Sequence, residues 1–116
     1  MSIPKQSNKN LIKDITPSDA NKLIEEHKND SNFIILDVRT PWEFSEDHIM
    51  GAVNLDFTDP EFEEMVEKLD NKKTYLIYCK SGVRGGKVSK LFLDSGFQEV
   101  YNISGGFEGW KNSLHQ

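Results

Sequence analysis

Cysteine is all but missing from this chain of 116 residues: Cys79 stands alone. One thiol cannot close an internal disulfide, and it excludes a Cys-x-x-Cys redox pair and a multi-cysteine zinc site. No metal or other cofactor is expected. If Cys79 reacts covalently, the thiol that resolves it must come from another molecule. Long apolar runs are missing too. Nothing approaches the length of a membrane span, and the first ten residues, MSIPKQSNKN, are polar. Neither a signal peptide nor a membrane partner is therefore expected, and the cytoplasm is the expected compartment. Positive charge is in deficit, with 14 Lys and Arg against 19 Asp and Glu. That balance argues against nucleic acid as a partner of the whole surface.

What remains is the composition of a globular domain long enough to bury a core unaided. Residues 1–10 read as a flexible tail and residues 11–116 as one domain. LIKDI (11–15), FIILDV (33–38), AVNLD (52–56), TYLIYC (74–79) and EVYNI (99–103) read as strands. FIILDV and TYLIYC are continuous apolar runs, as strands buried on both faces require. Thr16-Pro17-Ser18-Asp19 supplies an N-cap, a first-turn proline and an acid, so a helix is predicted from about Pro17 to about Lys28. Asp59-Pro60 opens another, with Phe62, Met65, Val66 and Leu69 at helical spacing. A third follows the glycines after Cys79, carries Val88, Leu91 and Phe92 and stops at Gly96, and GGFEGW closes with a short helical turn. This alternation predicts an α/β fold: a parallel sheet of about five strands with helices on both faces.

The acidic chain distributes its charge unevenly. Residues 59–70 hold six acids and one lysine, whereas residues 71–93 hold no acid and six cations: Lys72, Lys73, Lys80, Arg84, Lys87 and Lys90. The acidic run is either a solvated helix face or a docking face for a partner. The basic run surrounds the one thiol. Cys79 ends the most apolar strand, and functional crevices of open α/β sheets lie beyond the carboxyl ends of the strands. Lys80, Ser81, Gly82, Val83, Arg84, Gly85 and Gly86 follow, with glycines where a chain can bend and turn successive N–H groups inward. Such a nest, backed by a helix opening near Arg84, favours an anion at its centre, whether a thiolate or an anionic substrate. The competing reading is a small apolar side chain at a strand end before an ordinary turn. The absence of a Gly-Lys-Ser ending excludes a P-loop.

Three blocks resemble the single-domain rhodanese family, and the resemblance extends over almost everything from Ile15 to Trp110. LDVRTPWEFSEDHIMGAVNL (36–55) is similar to the family's Asp-Val-Arg to Gly-Ala-x-Asn signature, Cys79 to Arg84 to its active-site loop, and GGFEGW (105–110) to its closing Gly-Gly-x-x-x-Trp. The resemblance implies a rhodanese-like fold, a catalytic Cys79, and a substrate-binding loop of Lys80, Ser81, Gly82, Val83, Arg84 and Gly85. Asp37, Arg39 and Glu43 are expected in support. Arg39 and Glu43, four apart around Pro41, would form an ion pair, and Asp37 would fix the active-site loop by accepting backbone N–H bonds. His48 would pack and hydrogen-bond, and Trp42 and Trp110 would be core or rim aromatics. Two positions depart from the pattern. Asp47 replaces a glycine, which requires a turn without positive φ. Gly85-Gly86 stands where a hydroxyl is frequent, and this leaves the preferred donor open.

Loop length separates two chemistries found on this fold. Four residues lie between Cys79 and Arg84. The resemblance implies that this is the sulfurtransferase loop, shorter than the cradle of the related phosphatases and arsenate reductases. A phosphatase also needs an acid for its leaving group, and residues 71–93 offer none. The expected activity is sulfur transfer through a Cys79 persulfide, from a small anionic donor such as thiosulfate to an external thiol or to cyanide. The alternatives are a persulfide carrier served by a protein donor or acceptor, and a non-catalytic rhodanese-like binding module.

Overall fold

The computed structural model describes residues 10–114. The tail expected over 1–10, Asn10 excepted, lies outside the described residues. Five strands, β1 (Leu11–Ile15), β2 (Phe33–Asp37), β3 (Val53–Asn54), β4 (Thr74–Tyr78) and β5 (Glu99–Ile103), pair in parallel in the order β1-β5-β4-β2-β3. Between and after them run α1 (Pro17–Glu26), α2 (Pro41–Glu46), α3 (Phe62–Glu67), α4 (Gly85–Asp94) and α5 (Gly106–Ser113). The expected α/β architecture is the observed one. β4 is central because it can be: Tyr75, Leu76, Ile77 and Tyr78 are all buried, and alternate residues serve opposite faces.

Each face of the sheet has its own core. One gathers Leu36, Val38, Tyr75, Ile77, Cys79 and Val100 under Phe62 and Val66 of α3 and Val88 and Phe92 of α4. The other gathers Ile35, Leu76, Tyr78 and Ile103 under Ala20 of α1 and Phe107 of α5. Helices therefore cover both faces, and Cys79 belongs to the α3–α4 side.

Helix α1 begins where the cap predicts, with Thr16 Oγ1 accepting the Asp19 N–H at 3.1 Å. It stops at Glu26 rather than Lys28, because His27 stacks on Phe33 at 4.6 Å and Asn29 turns with φ of 70°. Helix α3 starts at Phe62, after the expected Asp59-Pro60. Asp59 forms a turn instead, its carboxylate accepting the Glu61 N–H at 2.8 Å and its carbonyl the Phe62 N–H at 2.9 Å. The strand expected over 52–56 narrows to Val53–Asn54, which among the described residues pairs only with β2, at the edge of the sheet. Among the described residues no helix is long and apolar enough to cross a membrane.

Candidate active site

Cys79 follows the last residue of β4, between the ends of β2 and β5. It is only 1% exposed, so its thiol lies at the bottom of the loop. The Gly82 N–H donates to its Sγ at 3.0 Å. Gly82 can turn that amide toward sulfur because its φ is +91°, a region unfavourable to other residues. Lys80, Ser81, Val83 and Arg84 are exposed around the loop, Val83 to 82%. Arg84 occupies the N-cap position of α4 without a side-chain cap bond, its guanidinium lying 5.6 Å from the centre of the Phe57 ring, and Gly85 opens the helix. Among the described residues neither Lys80 nor Arg84 enters an ion pair. The mouth of the loop is thus cationic and unneutralised.

The floor beneath the loop comes from the far end of the chain. The first amides of a helix have no partner within it. In α5 the N–H of Phe107 donates to the Cys79 carbonyl at 2.8 Å and the N–H of Glu108 to the Lys80 carbonyl at 3.0 Å. Tying these carbonyls from below leaves the loop's amides free to face the sulfur. Such close approach needs two glycines at positive φ, Gly105 at +80° and Gly106 at +62°. A Cβ on Gly106 would stand 2.6 Å from the Cys79 carbonyl oxygen and 2.7 Å from the Gly82 nitrogen. The family resemblance marks this diglycine without giving it a role. Its signal in the sequence is a glycine pair placed between a strand and a helix.

The expected supporting residues form a different network from the one anticipated. Asp37 is fully buried, yet it does not bond the Cys79 loop. Its carboxylate accepts the Arg39 backbone N–H at 2.8 Å, Nε at 3.1 Å and Nη2 at 2.7 Å. The reason is strand alternation: Asp37 and Cys79 point to opposite faces of the sheet. The expected Arg39–Glu43 pair is replaced as well. Glu43 is the third residue of α2, where its carboxylate accepts the Thr40 N–H at 3.0 Å while Thr40 Oγ1 accepts the Glu43 N–H at 3.3 Å. This capping box satisfies two donors at the helix start, and an ion pair to Arg39 would draw the Glu43 carboxylate away from one of them, the Thr40 N–H.

Arg39 instead joins Asp37 to α5. Its Nη2 also donates to the Asp47 carbonyl at 2.6 Å, and its guanidinium lies 4.2 Å from the centre of the Phe107 ring. Burial opposes the charge, but the hydrogen bonds and charge of Asp37 outweigh it and hold the guanidinium pKa above its ordinary value. Asp37, Arg39 and Phe107 therefore connect, through the Phe107 amide, to the carbonyl of Cys79.

Asp47 takes extended backbone, φ −172°, so it needs no glycine, and its carboxylate pairs with Lys111 of α5. His48 bonds the Phe44 carbonyl at 2.7 Å through Nδ1 and stacks on the Phe44 ring. Trp110 packs and donates to Asn21 Oδ1 at 2.8 Å, whereas Trp42, expected in the core or at its rim, is 72% exposed on α2.

A family model described as the rhodanese-like domain matches residues 16–113. The chain is 34% identical over 101 residues to the thiosulfate sulfurtransferase GlpE of Coxiella burnetii, covering 87% of this chain and 89% of that protein. It is 33% identical over 94 residues to a thiosulfate:glutathione sulfurtransferase of Saccharomyces cerevisiae, covering 72% and 68%. A solved structure of an uncharacterized protein from Saccharomyces cerevisiae superposes with a TM-score of 0.72 at 29% identity, covering 88% of this chain and 92% of that one. A match that takes in all five helices and every strand but the first, with this identity over most of both chains, leaves one assignment: the chain belongs to the family of rhodanese-like domains.

Proposed function

We propose that this protein is a sulfurtransferase that carries sulfane sulfur on Cys79, taking it from thiosulfate or a similar small anion. The Cys79 thiolate attacks the outer sulfur of the donor, a new S–S bond forms, and sulfite departs with the electron pair of the bond that breaks. Lys80 and Arg84 attract the donor's oxygens and stabilise the leaving sulfite. The loop amides from Ser81 to Gly85 hold the persulfide, and Val83 walls its mouth. An external thiolate or cyanide then attacks the terminal sulfur, and Cys79 leaves as the thiolate. Asp37 and Arg39 act as positioning residues through α5, and Glu43 through the cap of α2. A reducing compartment, the cytoplasm, suits a chain with one free thiol.

The observation that carries this reading is the Gly82 N–H donated to Cys79 Sγ at 3.0 Å. A strand-end cysteine serving only as filler has no use for a bent loop that aims an amide at its sulfur. The short gap to Arg84 agrees with it, as do the cations at the mouth, which have no ion-pair partner among the described residues. The test is mass spectrometry of the protein with and without thiosulfate. A cyanide-labile gain of about one sulfur atom at Cys79 is expected, and Cys79→Ala should abolish both the gain and thiosulfate:cyanide transfer. No gain, or full transfer by the variant, would falsify the reading.

A second reading is a persulfide carrier loaded by a protein donor. Val83, exposed at the crest of the loop beside Lys80 and Arg84, favours it, because an apolar tip ringed by cations suits a macromolecular contact. Such a carrier would load slowly from thiosulfate and quickly from a cysteine desulfurase.

A further inference from the structure

Beside the Cys79 loop a groove of about 320 Å³ runs between the start of α3 and the outer face of α4. Phe57, Phe62 and Leu91 give it an apolar floor, where the two aromatic rings meet edge-on at 5.4 Å. Lys87 stands on the α4 side and Asp59 and Glu63 on the other. Arg84, Lys87 and Leu91 share one face of the helix start, at spacings of three and four residues, and the Arg84 guanidinium lies 5.6 Å from the centre of the Phe57 ring, so the groove ends beside the mouth of the loop. Its position relative to the thiol follows from the sheet. The Val38 N–H bonds the Tyr78 carbonyl at 3.0 Å and the Phe57 N–H bonds the Val38 carbonyl at 3.2 Å. Phe57 is thus two strand spacings, about 10 Å, from the end of β4, and it packs against the same core cluster as Cys79.

The charges on the groove walls are opposite in sign but do not neutralise each other. Among the described residues Lys87 and Glu63 enter no ion pair, and Asp59 spends one carboxylate oxygen on the Glu61 N–H. A simple anion entering here would meet two carboxylates, and a simple cation would meet Lys87 and Arg84. A ligand bearing both charges satisfies both walls, and its methylenes suit the aromatic floor. The geometry points to this groove as the acceptor subsite, which takes a small zwitterionic thiol with its carboxylate toward Lys87 and Arg84 and its ammonium toward Glu63 and Asp59. The inference rests on the proposed persulfide chemistry. In the step it serves, the acceptor's thiolate attacks the terminal sulfur of the Cys79 persulfide, a new S–S bond forms on the acceptor, and the electron pair of the old bond returns to Cys79.

The test loads the protein with sulfur, removes the donor, and follows single-turnover discharge into glutathione, N-acetylglutathione and 2-mercaptoethanol at low concentration. At equal thiolate concentration glutathione should discharge the protein faster than its N-acetylated form. Lys87→Ala and Glu63→Gln should each lower the ratio of the glutathione rate to the 2-mercaptoethanol rate about fivefold, and Lys87→Arg should restore it. The ratio does not depend on how much of a variant folds. A ratio unmoved by both substitutions, or equal rates for glutathione and its N-acetylated form, overturns the subsite while leaving persulfide formation intact. If thiosulfate does not load Cys79, the thiosulfate reading fails, and sodium polysulfide loads the protein for the same comparison. A chain that accepts sulfur from neither overturns both.

Discussion

The two sides of the Cys79 loop are built by opposite rules. Below it every contact is short and specific: two α5 amides on two loop carbonyls, and glycines that leave no room for a Cβ. Above it Lys80, Val83 and Arg84 stand in solvent without ion-pair partners among the described residues. The floor is determined by packing and the mouth by charge. Substitutions below should therefore act through the fold, and substitutions above through the encounter with substrate.

Three measurements would break or sharpen that contrast. The largest effect is expected from Arg39→Met, which leaves the Asp37 carboxylate buried without its partner. A loss of about 3–5 kcal/mol is expected in chemical denaturation, with transfer activity falling alongside. If stability held while activity fell, Arg39 would act at the mouth rather than the floor. Next comes Gly106→Ala, which meets backbone atoms at 2.6 and 2.7 Å from a φ of +62°. It should cost about 1–3 kcal/mol and lower the midpoint of thermal unfolding. An unshifted midpoint would mean that the floor can give way. The smallest effect on stability belongs to Arg84→Ala, within about 0.5 kcal/mol of the parent, yet kcat/KM for thiosulfate should drop about tenfold. An equal drop for an uncharged sulfur donor would remove the role given to charge.

Much of this was legible in the sequence. FIILDV and TYLIYC had to be central strands, because only a strand covered on both faces accommodates such runs. Cys79 then followed at the carboxyl edge, where a loop with glycines and cations could close around it. The errors arose where spacing left several partners within reach. Arg39 has Asp37, Glu43 and Asp47 nearby in sequence, and the choice among them depends on which carboxylate is buried and which one the α2 terminus needs. Asp37 lies at the expected edge but bonds Arg39 rather than the Cys79 loop, since its bonds follow the alternation of side chains across β2. The diglycine of α5 lies far from Cys79 along the chain, and nothing local in either segment states that they touch.

The diglycine floor also determines when the site can exist. The amides that hold the carbonyls of Cys79 and Lys80 belong to the last helix, and that helix can be positioned only after β5 has paired with β4. A chain emerging from the ribosome exposes its cysteine before Gly105 and Gly106, further along the chain, have emerged to complete the cradle. Oxidants and electrophiles therefore meet an ordinary thiol during synthesis and a buried, amide-bonded one afterwards. The protection of Cys79 is in this sense a record that the C-terminal strand and helix have docked, and its loss would be an early sign that they have come away.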